Sequence, residues 1–104
     1  MNYTLESAQN HRAFAQTLLE NHYTELTRCD AMSAALTKSK TTLRDSEQIK
    51  KAESKIRSIG LHMTQLRDSY IPRTREACLE LDREIEAMTQ QQAAQAAKQG
   101  ENES

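Results

Sequence analysis

Tryptophan is absent from this chain, phenylalanine occurs once, and glycine and proline together fill three of its 104 positions. So little glycine and proline removes the turn chemistry that β-hairpins need, and so few large aromatics leave a compact globule thinly filled. No apolar run approaches the roughly 18 residues of a membrane span, and no charged segment followed by an apolar stretch opens the chain as a secretion signal would. Cys29 and Cys78 are the only cysteines and lack the close CxxC spacing of a zinc or redox motif. Two isolated thiols fit a reducing compartment, and a cytoplasmic location is expected.

What remains is dominated by Ala, Glu, Gln, Lys, Arg and Leu, the good helix formers. Hydrophobic residues make up 37% and charged residues 28% of a chain long enough for one domain and too short for two ordinary cores. An all-α, elongated structure suits that supply.

The first helix announces itself from Leu5. Leu5, Ala8, Ala15, Leu19, His22, Leu26, Cys29 and Leu36 follow the alternating three-and-four spacing of one buried stripe, interrupted by Arg12 and Ser33. Thr4 is placed to cap it, and Glu6 sits at the positive end of its dipole. Phe14, Leu18, Tyr23 and Met32 flank the stripe and widen the apolar face. The rhythm lapses over "TKSKTTLRDSEQ", where Thr42 with Asp45, or Asp45 with Gln48, resembles a capping box and marks a turn.

A second stripe, Ile49, Ala52, Ile56, Ile59, Met63, Leu66 and Tyr70, then runs unbroken for three heptads. Gly60 lies beside it. After Tyr70 the beat resumes one residue late, through Ile71, Thr74, Cys78, Leu81, Ile85 and Met88, and this skip coincides with the only proline, Pro72. On an undisturbed helix one extra residue rotates the stripe by roughly 100°, so the backbone must deform if the stripe is to stay on one side. Proline deforms the turn before it by removing a donor and crowding a carbonyl.

The fold expected is an antiparallel helical hairpin, coiled-coil-like, with its second arm kinked at Pro72; the alternative is a three-helix bundle. Residues 1–92 form the helical domain in this reading, with helices near 4–37, 44–71 and 72–92. Residues 93–104 form a frayed or disordered tail. With a turn near residue 40, residue i of the first helix faces roughly residue 80 − i, so nothing in the chain covers the stripe beyond about residue 76. Ile71, Cys78, Leu81, Ile85 and Met88 are therefore the expected partner-binding stripe.

No catalytic signature is present. The three histidines stand on different turns, no glycine-rich loop can cradle a phosphate, and no enzymatic activity or cofactor is expected. His22, Glu25 and Cys29 share one helical face, and the hairpin would bring His62 near them, which is zinc chemistry. A single histidine in a helix seam is more often a core residue, so no metal site is assigned.

The net charge of −1 hides an uneven distribution. Residues 38–75 carry ten Lys/Arg against four Asp/Glu, and residues 76–104 carry two against seven. Lys50, Lys51, Lys55 and Arg57 thus form an alternative site for nucleic acid, although no aromatic residue accompanies them to stack bases. The primary expectation is a small non-enzymatic interaction protein of adaptor, chaperone or inhibitor type. It binds a protein partner through an apolar helix stripe and can form a homodimer. No small-molecule substrate and no membrane association are expected.

Overall fold

The computed structural model describes the backbone of residues 3–103 and the side chains of residues 3–100. Helix α1 spans Leu5–Lys40 and helix α2 spans Ser46–Gln65. A π-helical turn, Leu66–Tyr70, follows α2 directly and runs into helix α3, Ile71–Glu103. No strand occurs among the described residues, and the fold is an all-α helical hairpin.

The caps lie where side-chain chemistry places them. Thr4 Oγ1 accepts from the Ser7 N–H at 3.1 Å, and Asp45 accepts from the Glu47 N–H at 2.9 Å. Asp45, rather than Thr42, therefore starts the second arm. Thr42 instead helps to end the first: its hydroxyl donates to the Ser39 carbonyl at 2.8 Å, and the Thr41 hydroxyl donates to Lys38 at 2.7 Å. Carbonyls that lose their helical partners at the end of α1 are thereby satisfied without a glycine.

The one-residue skip is absorbed by the π turn. The Ile71 N–H donates to the Leu66 carbonyl, five residues back. Ile71 is 5% exposed and Leu66 2%, whereas Tyr70, four residues on from Leu66, is 42% exposed. Burial and hydrogen bonding thus agree on an i→i+5 step. The wide turn ends two residues before Pro72, in the segment where the missing proline donor and the ring's steric demand act. The kink expected at Pro72 takes this form. Helical structure passes through the proline without a break, so the chain forms no separate third helix.

The described residues divide into two compact units. Residues 19–73 hold the turn of the hairpin, and residues 3–18 pack with 74–103. In the first of these, Cys29, Ala52, Leu66 and Ile71 are buried; in the second, Ala8, Ala15, Thr74 and Cys78. The second core consists of small side chains and the first mixes Cys29 and Ala52 with Leu66 and Ile71; small residues let helix backbones approach closely and suit a sequence short of large aromatics. Within the unit that contains both chain ends, Arg12 Nε donates to Asp82 Oδ1 at 2.8 Å and the Tyr3 hydroxyl donates to Glu84 Oε2 at 3.3 Å.

Those pairs correct the expected register. α1 reaches Lys40 and the link runs to Asp45, so the hairpin turns several residues later than residue 40. Every residue of α1 consequently faces a position further along the second arm, and α1 covers the stripe well beyond residue 76. The end of the chain also differs from expectation. α3 continues past residue 92 to Glu103, although residues 89–100 are all exposed. Alanine and glutamine propensity sustains this stretch without a buried face. The tail's last residue, Ser104, lies outside the described residues.

Candidate functional site

The five stripe residues are not left open by the fold. Ile71 and Cys78 are buried, while Leu81, Ile85 and Met88 are half-buried. Cys78, Leu81, Ile85 and Met88 belong to the unit in which the start of α1 packs with α3, and Met88 shares a shallow recess with Tyr3 and Leu5. The later register is the reason: residues expected to outrun their cover face the first turns of α1.

Apolar surface is open elsewhere. Phe14 is 71% exposed, Leu61 70% and Leu79 51%. All three lie off the heptad beat, so a search restricted to the seam passes over them; their signal is a large apolar residue on the outward face of an amphipathic helix. In the turn-containing unit an open groove of about 530 Å³ runs between α1 and α2. Met32, Ala35, Leu36 and Ser39 line one side, and Ser54, Lys55, Ser58 and Ile59 the other. Its origin is compositional. Ala35, Ser39, Ser54 and Ser58 are too short to fill the space between the helices, which leaves Met32, Leu36 and Ile59 partly uncovered.

The same unit brings together three of the four residues with zinc-ligand chemistry. Glu25 Oε1 lies 3.5 Å from His62 Nε2 and accepts from the Cys29 thiol at 3.7 Å. Arg28 donates to both carboxylate oxygens of Glu25, at 2.7 and 3.0 Å. Its hydrogen bonds are the main reason that Glu25 titrates below the usual glutamate range. Burial, followed by the neighbouring carboxylate, raises the Cys29 thiol above its ordinary value. His22 does not join this group: its ring stacks on Tyr70, with centroids 5.9 Å apart.

Lys50, Lys51, Lys55 and Arg57 are all exposed on α2. Lys50 and Arg57, a heptad apart, share one side of the helix, whereas Lys51 and Lys55 share another. Lys40 pairs with Glu53 at 3.2 Å, which takes up charge within the basic segment. The four cations therefore straddle the outer surface instead of converging on one groove.

No helix among the described residues is long and apolar enough to cross a membrane. The chain matches no known family model, curated protein or solved structure.

Proposed function

We propose that this chain is a small non-enzymatic interaction protein whose open helix faces bind protein, and that its first partner is a second copy of itself. The observation that carries the reading is the apolar groove formed by Met32, Ala35, Leu36 and Ile59, held open by short side chains on two capped helices. Helix-in-groove recognition needs an apolar ridge at helical spacing and a matching trough. Leu79 on α3 supplies one exposed apolar anchor, flanked on its own face by Glu76, Asp82 and Glu86 and by Arg75 and Arg83.

Charge supports a second copy as the occupant. Residues 19–73 carry ten Lys/Arg against seven Asp/Glu, whereas residues 1–18 and 74–104 together carry four against eight. The groove thus belongs to a cationic unit, with Lys55 on its wall, and Leu79 to an anionic one. Complementary potentials of this kind favour pairing between chains and fix its orientation. Adaptor, chaperone and inhibitor roles require no more than such a face. Two free, buried cysteines support a cytoplasmic setting.

Sedimentation equilibrium tests the pairing. The wild-type chain is expected to run at twice its 11.8 kDa mass at tens of micromolar. Ala35→Glu or Leu79→Glu should return it to a monomer with its helicity intact. A wild-type chain that stays monomeric at about 100 µM would overturn the proposal. The nucleic-acid alternative is read separately. With Lys50, Lys51 and Lys55 changed to Glu, the interaction reading expects weaker self-association and no specific DNA affinity to lose. Salt-resistant DNA retention that vanishes in this variant would favour the alternative.

A further inference from the structure

We infer that Glu25, Cys29 and His62 form a zinc site that ties α1 to α2. This goes beyond the interaction reading and stands whether or not the chain pairs with a second copy. Glu25 and Cys29 are four residues apart and stack on one face of α1, while His62 reaches them from the facing helix. Their donor atoms all lie within 4.8 Å of one another. Tetrahedral zinc, with bonds of about 2.0–2.3 Å, separates its ligand atoms by roughly 3.3–3.7 Å. The oxygen–nitrogen and oxygen–sulfur distances, 3.5 and 3.7 Å, already fall in that range. The sulfur–nitrogen edge, no longer than 4.8 Å, closes through a small rotation of His62, whose side chain is 42% exposed.

The donor set selects the ion. A thiolate and an imidazole favour zinc over magnesium or calcium, which prefer oxygen throughout. On binding, the Cys29 sulfur loses its proton to solvent and forms the metal–sulfur bond. One thiolate and one carboxylate then balance the two charges of the ion. Arg28 holds the Glu25 carboxylate from outside, the orienting role that outer hydrogen-bond donors play at metal centres. Three protein ligands leave the fourth position to water. Because the ligands come from two helices, the ion binds the folded hairpin in preference to the unfolded chain.

The test uses the full chain, reduced and stripped by chelator, with Co²⁺ and then Zn²⁺ as probes. One ion per chain is expected, with a near-ultraviolet sulfur-to-cobalt band that Cys78→Ser retains and Cys29→Ser loses. Zinc should raise the melting temperature by several degrees, and His62→Ala should weaken binding by roughly tenfold or more. His22→Ala should leave binding unchanged. Should Cys29→Ser fail to fold, His62→Ala, at a half-buried position, decides, with circular dichroism confirming its helicity. No stoichiometric binding at micromolar zinc, a sulfur band that survives Cys29→Ser, or an affinity indifferent to His62→Ala would each overturn the site.

Discussion

Arg12 and Asp82, seventy positions apart, meet through a 2.8 Å bond from the guanidinium Nε to Oδ1. Arg12 occupies a seam position of α1 that periodicity alone reserves for an apolar side chain, and it reaches out of the seam to the more exposed Asp82. The pair marks which turns of α1 and α3 face each other. Its energetic weight is small, because both groups remain in contact with water.

A double-mutant cycle of Arg12→Ala and Asp82→Ala should therefore return a coupling of about 0.2–1 kcal/mol, shrinking as salt approaches 1 M. Leu81→Asp, on the same covered face, should cost more, about 1–3 kcal/mol, because it puts a charge against a half-buried apolar stripe. Thermal melts check both. Equal and negligible losses for all the variants would contradict the register.

Gly60 offers a stabilising change. It lies inside α2 with an ordinary helical backbone, and a Cβ built there meets nothing within 4 Å. Gly60→Ala should raise stability by about 0.5–1 kcal/mol, through reduced freedom of the unfolded chain. Urea unfolding should show this as a higher midpoint at unchanged slope.

The sequence carried some of this architecture openly and hid other parts for physical reasons. The caps at Thr4 and Asp45 and the deformation before Pro72 were legible because each depends on a few neighbouring residues. Register was not, because it depends on where α1 stops. Thr41 and Thr42 end that helix by bonding back to Lys38 and Ser39, and threonine carries a far weaker stop signal than glycine. A displacement of a few residues there determined whether Leu81, Ile85 and Met88 were covered. The convergence of Glu25, Cys29 and His62 depended on the same register, and the groove depended on the shortness of Ser54 and Ser58, which periodicity does not weigh.

Acid and alkaline stability should respond to opposite groups. Glu25 titrates low, chiefly through its Arg28 hydrogen bonds, so the folded state takes up its proton less readily than the unfolded chain. Its stabilising contribution is complete above the ordinary glutamate range and is lost as pH falls from about 5 towards 3. Cys29 titrates high, mainly through burial; its contribution is complete below the ordinary thiol range and is lost as pH rises beyond about 8.5. Glu25→Gln should flatten the acid limb of metal-free melting temperature against pH, and Cys29→Ala the alkaline limb. Limbs that both variants leave unchanged would show that other groups control them.

The π turn gives the sharpest test, because two causes coincide in it: the proline and the extra residue in the apolar beat. If the proline alone held the turn open, Pro72→Ala would let the segment return to an ordinary α-helix. That return would rotate Ile71, which is buried, by roughly 100° away from the face that Leu66 defines. The lost burial would exceed the gain of one backbone hydrogen bond, about 0.5–1.5 kcal/mol. Pro72→Ala alone should thus keep the i→i+5 bond at Leu66 and melt no lower than wild type. Deleting the exposed Asp68 in that variant background removes the extra residue and restores a four-residue step, so the stripe stays in phase. The doubly altered chain should remain helical and be within about 1 kcal/mol of Pro72→Ala in stability, whereas deleting Ser58 should cost several kcal/mol because Ile59, Met63 and Leu66 then lie roughly 100° out of phase with Ile49, Ala52 and Ile56. A Pro72→Ala chain that melts well below wild type and recovers when Asp68 is also deleted would mean that the proline, and not the apolar phase, keeps the turn.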